Sequence, residues 1–126
     1  MKIPDWSYAK IKAAVDVRTK PTVIELYMPN CRPCKMWEAQ LELLADEYEG
    51  EILFVKCLAT EYAENYKGEH QYLPSTVPAL IIVTPGRDYD EGPIIYGKIA
   101  MFYQSIISND KLREVLDEEL EKVEDL

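Results

Sequence analysis

The sequence predicts an α/β domain, a mixed four-stranded sheet with helices on both faces. Three observations carry this. Helical and extended stretches follow the order α-β-α-β-α-β-β-α along the chain. The first strand, "TVIELYM", is apolar at nearly every position, as expected of a strand covered on both faces. The first two strands flank a full helix and imply a parallel βαβ unit with a right-handed crossover; the last two, joined by a loop, should form an antiparallel hairpin.

Each element has its own signal. Residues from Asp5 to Val17 predict a helix with Asp5 as N-cap and Tyr8, Ile11 and Val15 on one face. The first strand then runs from Thr22 to Met28. "CKMWEAQLELLADEYEG" predicts a helix, because Trp37, Leu41, Leu44 and Tyr48 recur at three- and four-residue steps and Gly50 follows as a stop. "EILFVKCLA" supplies a second strand over 51–58, and "TEYAENYKG" a short helix capped by Thr60. "VPALIIVT" is the third strand, over 77–84, "PGRDYDEGP" a turn-rich loop, and "IIYGKI" the fourth strand. The last helix opens on Ser108, Asn109 and Asp110, with Leu112, Leu116 and Leu120 in a stripe beside Val115 and Val123. "IAMFYQSIIS" has no predicted form: a short helix, a prolonged fourth strand or a partner surface all fit it. With no repeat, low-complexity tract or linker, residues 1–126 are expected to form a single domain.

A length of 126 residues supports a hydrophobic core without staples. The net charge of -9 argues against nucleic acid, whose phosphates reward a basic face, and against an anionic membrane surface. No apolar run approaches the ~20 residues that span a bilayer. "MKIPDWSYAKIKAAVDV" lacks the continuous apolar core of a secretory signal, so the expected location is the cytoplasm. A monomer is expected, and no cofactor. The tail "LDEELEKVEDL" is expected to be a solvated helix face.

The chemistry centres on "NCRPCKMW". Cys31 and Cys34 lie where the first strand hands over to a helix. Unpaired N–H groups and partial positive charge at a helix N-terminus stabilise a thiolate, and Arg32 adds a full charge. Pro33 suits a first helical turn, where its missing N–H is no loss. This placement favours a reactive Cys31, with a less exposed Cys34 resolving the mixed disulfide. Alternation puts Val23, Glu25 and Tyr27 on one strand face. A glutamate in a strand buried on both sides is costly unless paired or protonated, and Lys56 in the neighbouring strand is its expected partner. A zinc site would need two more ligands, with only Cys57 and His70 to supply them. Cys57 is expected on the face opposite Lys56 as a small buried hydrophobe. His70, in a polar loop, is expected to be solvated.

"VIELYMPNCRPCK", then "FVK", then "TVPALIIV" together resemble thioredoxin and its relatives over residues 22–97. The resemblance implies a thioredoxin-like fold and a thiol-disulfide oxidoreductase. It matches Cys31 to the attacking cysteine and Cys34 to the resolving one. Glu25 falls where thioredoxins keep a buried aspartate that moves protons, and Lys56 where they keep its lysine partner. Pro78 matches a cis-proline beside the dithiol, and Val77 the residue whose backbone binds substrate peptides. Gly97 matches a glycine that lets substrate approach. Asn30, Arg32, Pro33 and Val77 are then the expected docking surface for protein disulfide substrates. A reductase protein or glutathione is the expected electron donor.

Some positions depart from the family pattern. Arg32 replaces the usual glycine, Tyr27 and Asn30 stand where thioredoxins carry tryptophans, and Ala39 replaces a helix-kinking proline. "GKIAMFYQSIIS" is longer than the usual connection to the last helix. A protein disulfide reductase is the leading expectation. The rivals are an oxidase or isomerase, because Arg32 stabilises the reduced form, and a binding module without turnover.

Overall fold

A computed structural model describes residues 2–17, 19–68, 73, 74, 76–86, 93–97 and 107–124. Its elements are α1 (Tyr8–Val17), β1 (Thr22–Tyr27), α2 (Arg32–Glu47), β2 (Leu53–Leu58), α3 (Ala59–Asn65), β3 (Ala79–Val83), β4 (Ile94–Gly97) and α4 (Asn109–Glu124). The strands form one sheet in the order β2-β1-β3-β4. β1 runs parallel to β2 and antiparallel to β3, and β3 pairs antiparallel with β4. This is the mixed α/β sheet expected from the element order. Residues 98–106, whose form the sequence left open, and His70 lie outside the described residues.

Alternation along the strands divides the core into two layers. Val23, Phe54, Leu80 and Ile82 face α2 and α4, where Trp37, Leu41, Leu44, Leu112 and Leu116 close over them. Ile24, Leu26, Val55, Cys57 and Ile81 face the other way, onto Ile11 of α1 and Tyr62 of α3. Each of these buried aliphatic or aromatic side chains contributes about 1.5–3 kcal/mol by leaving water. The Trp37–Leu41–Leu44–Tyr48 stripe is buried as its spacing predicts. Tyr48 also ties α2 to α4, its hydroxyl donating to Asp117 Oδ1 at 2.6 Å.

Several ends differ from the expectation. Asp5 does not cap α1. Ser7 does, its Oγ accepting from Lys10 N at 3.2 Å. Asp5 is held instead in an extended segment beside β2, where Lys56 N donates to Pro4 O and Trp6 N donates to Lys56 O, both at 2.9 Å. α3 starts at Ala59, so Thr60 lies within it, and Leu58 at the cap position makes no side-chain bond. Ser108 caps α4, accepting from Lys111 N at 3.2 Å, as its opening residues suggest. The acidic last helix is not wholly solvated: Glu119 is buried and lies 3.5 Å from Lys122 Nζ. Gly50, past the end of α2, adopts φ +82, the left-handed conformation that makes glycine a helix stop. α2 itself runs unbroken past Ala39, which keeps the backbone N–H that a proline there would lack.

Candidate active site

Cys31 is the N-cap of α2, and its sulfur is bonded to Cys34 across a Cα–Cα distance of 5.3 Å. The turn before it is closed by Cys31 N donating to Met28 O at 3.2 Å. Cys34 N, one of the four donors that a helix start leaves without a helical partner, points at Cys31 Sγ at 3.2 Å. When the disulfide opens, that N–H and the helix dipole favour negative charge on Cys31. The two sulfurs are not equivalent in access, since Cys31 is half-buried and Cys34 is 2% exposed. Arg32 and Pro33 occupy the first turn of α2, and both are exposed.

The same end of the sheet gathers the other matched residues. Leu26 pairs with Ala79, and Ala79 pairs on its other side with Gly97. The Val77–Pro78 peptide, which is cis, therefore precedes β3 at the point where β1 runs out toward Cys31. Val77 and Pro78 are half-buried, and Asn30 is exposed next to Cys31. Beside them, Leu26, Met28, Ala63, Pro74, Thr76 and Val77 line a cleft of about 290 Å³.

Glu25 and Lys56 stand side by side across β1 and β2. The expected ion pair between them is not formed. Lys56 Nζ donates instead to Glu38 Oε1 of α2 at 2.6 Å, and among the described residues neither Glu25 oxygen has a hydrogen-bond partner. Two acids lie over the same part of the sheet, and the helix-borne one reaches the ammonium. Glu25 is 1% exposed, and its pKa is pushed from 4.5 up to about 8. Burial is the main cause. The charge of Glu38 adds to it, Lys56 pulls the other way, and Glu42 raises it further. Burial works against the charge on Lys56, but the hydrogen bond and charge of Glu38 outweigh it, and its pKa is raised. Lys56 Nζ also sits 5.3 Å from the centre of the Tyr27 ring, and the Tyr27 hydroxyl donates to Asp5 Oδ2.

Glu38 is the residue that the strand and helix patterns passed over. The signal is its spacing: Cys34, Glu38 and Glu42 follow one another at four-residue steps, one helix face carrying a sulfur and two acids. Cys57 is fully buried in the opposite layer, as expected. Its thiol is pushed up to about 12 by burial and then by its 3.4 Å hydrogen bond to Glu61. Among the described residues, no three His, Cys, Asp or Glu side chains are grouped to hold a metal, and no helix is long and apolar enough to cross a membrane.

The family model for thioredoxin matches residues 5–101. "Thioredoxin M2, chloroplastic" of Arabidopsis thaliana is 34% identical over 68% of this chain and 41% of its own length. "Thioredoxin-like protein CITRX, chloroplastic" of Oryza sativa subsp. indica is 27% identical over 82% of this chain and 48% of its own. The chain thus spans about half the length of these plant relatives. The thioredoxin of Synechocystis is 31% identical over 69% of this chain and 78% of its own. A solved structure of chloroplastic thioredoxin z superposes with a TM-score of 0.69 at 15% identity, covering 94% of this chain and 95% of that one; this likeness concerns the fold. The relatives correct the expected cytoplasmic location, since these two plant relatives are chloroplastic. Lack of a secretory core in the first residues does not bear on plastid targeting, which uses a different, amphipathic kind of segment. The sheet, the cysteine pair at the start of α2 and the family match agree, and the chain belongs to the thioredoxin family, a family of thiol-disulfide oxidoreductases.

Proposed function

We propose that the chain works as a protein disulfide reductase, as a single domain and a monomer. The observation that carries this is the position of Cys31, a half-buried N-cap whose sulfur accepts a backbone N–H while its partner sulfur is buried. In the reduced protein, Cys31 thiolate attacks one sulfur of a substrate disulfide. The substrate S–S bond breaks, one substrate sulfur leaves as thiolate, and the other stays bonded to Cys31. Cys34 then gives its proton to Glu25 and attacks Cys31 Sγ. The second substrate sulfur is released with the bonding electrons, and the Cys31–Cys34 bond remains.

A dithiol protein, or two molecules of glutathione, returns two electrons and restores the pair. An extended substrate segment lies along Asn30, Arg32, Pro33 and Val77, with backbone bonds beside Pro78 and close approach at Gly97. The cleft at Met28, Thr76 and Val77 suits one apolar side chain of that segment. The names of the relatives favour the chloroplast as its compartment.

Insulin reduction with a regenerating dithiol tests the reading. The wild type should turn over, Cys31→Ser should be inactive, and Cys34→Ser should accumulate a mixed disulfide through Cys31. Absence of turnover in the wild type would leave a binding module in its place. An oxidase or isomerase role is the second reading. It is favoured by exposed Arg32 in the first turn of α2, which stabilises the reduced form. A measured reduction potential near those of oxidising disulfide proteins would select it.

A further inference from the structure

Lys56, the lysine beside Glu25 among the described residues, is engaged elsewhere. Lys56 donates to Glu38 Oε1 at 2.6 Å, in a pair whose side chains are only 23% and 21% exposed. Its position is fixed from several sides. Its backbone is hydrogen-bonded to Pro4 and Trp6, and its ammonium lies against the Tyr27 ring. Glu25, meanwhile, faces Lys56 from β2, Glu38 and Glu42 from α2 and apolar Leu80 from β3, while Asp5, in the segment beyond, acts on Lys56. Carboxylates outnumber the cation around it, and the cation is held by one of them.

We propose that Glu38 is a positioning residue of the redox centre. It holds Lys56 on α2 and so keeps Glu25 a neutral acid in the oxidised protein, ready to protonate Cys34. This rests on the reductase reading, in the half of the cycle that regenerates the dithiol. A donor dithiol attacks Cys31 Sγ as thiolate, and the Cys31–Cys34 bond breaks. The Cys34 sulfur keeps the bonding pair and takes the Glu25 proton. The second donor thiol loses its proton to water, attacks the mixed disulfide and leaves as donor disulfide, with Cys31 as thiolate. The donor has lost two electrons and the protein dithiol has gained them.

Were Lys56 paired with Glu25, the carboxyl would be ionised at neutral pH and have no proton to give. Its pKa of about 8 accords with the arrangement found. Glu38 sits one helical turn after Cys34, so the helix that carries the leaving sulfur also carries the acid that detains the lysine.

The test compares wild type, Glu38→Gln, Lys56→Met and the double variant. The Glu25 carboxyl is titrated by NMR in each oxidised protein, with Glu25→Gln to assign its signal. The pH dependence of single-turnover reduction of the Cys31–Cys34 bond by dithiothreitol is followed alongside. Glu38→Gln should lower the Glu25 midpoint by about one pH unit and shift the alkaline fall of the reduction rate down with it. That shift should shrink in the Lys56→Met background. A Glu25 midpoint unchanged by Glu38→Gln, or an equal shift without Lys56, overturns the proposal. So does a loss of insulin turnover in Glu38→Gln with the titration unmoved, which would mark Glu38 as a docking or packing residue. If the wild type fails to reduce insulin, the reductase reading falls, while the titrations still decide whether Glu38 positions Lys56.

Discussion

Replacing Glu25 by glutamine should stabilise the oxidised protein progressively as pH rises. The side chain lies within β1, 1% exposed, with no hydrogen bond to either oxygen among the described residues. Below pH 4.5, the ordinary value, the carboxyl is protonated in folded and unfolded chains alike, so proton binding costs the fold nothing. Between 4.5 and about 8 the unfolded chain has released its proton and the folded chain has not. Stability therefore falls through this window, by about 1.36 kcal/mol per pH unit. Above about 8 both states are ionised and the loss levels off.

From 4.5 to about 8 is a rise of about 3.5 pH units, equivalent to about 5 kcal/mol between the two plateaus. That is comparable with the whole stability of many small domains, about 5–15 kcal/mol. Glutamine does not ionise and escapes this loss. The assay is urea unfolding of oxidised wild type and Glu25→Gln at intervals from about pH 4 to about pH 9, plotted as the difference between the two. Groups that do not face Glu25 cancel in that difference. The variant's advantage should grow by several kcal/mol across the window and then flatten. A difference independent of pH would refute the reasoning, because it would mean that Glu25 ionises as easily folded as unfolded.

Limiting iodoacetamide on the reduced protein should label Cys31 first, and mass spectrometry should find Cys57 untouched until the chain is unfolded, since Cys57 is fully buried with its thiol pushed up to about 12. Leu44→Ala removes a fully buried side chain and should cost about 2–5 kcal/mol in urea unfolding. Leu43→Ala, 59% exposed one residue away, should stay within about 0.5 kcal/mol. Arg32→Gly takes a positive charge from the exposed first turn of α2 and should make the couple more reducing, by about 20 mV or less against a glutathione buffer.

What could be read in advance depended on how local its cause was. The strand layers followed from alternation, so Val23 and Glu25 were put on one face of their strand and Cys57 on the face opposite Lys56 without any tertiary information; which face meets α2 came from the structure. The α2 stripe and the Ser108 cap were legible for the same reason. The N-cap of α1 was not, because Asp5 and Ser7 both suit a cap. The choice fell to the backbone bonds that draw residues 4–6 along β2. The partner of Lys56 was hidden in a similar way. Alternation placed Lys56 and Glu25 together on one face, but it gave no height above the sheet. Glu38 competes from that height, and at 2.6 Å it takes the bond.

That height also explains how one short motif yields two unlike sulfurs. Cys31 and Cys34 are three residues apart, nearly one helical turn, yet α2 lies with its first turn at the surface and its next turns on the acid-bearing sheet face. Cys31 therefore has a backbone N–H, the helix dipole and Arg32 near it, all favouring negative charge. Cys34 is buried; Glu38 and Glu42 follow it on the same face of α2, and that face meets Glu25 and Lys56 on the sheet. Burial and surrounding carboxylates both favour a neutral thiol there. The bias between nucleophile and resolving sulfur thus does not come from the Cys-x-x-C spacing, which treats both cysteines alike. It comes from the tilt of charge across a single turn of helix, positive outside and acidic beneath. The same two cysteines on an apolar sheet face would lose the inner half of that contrast.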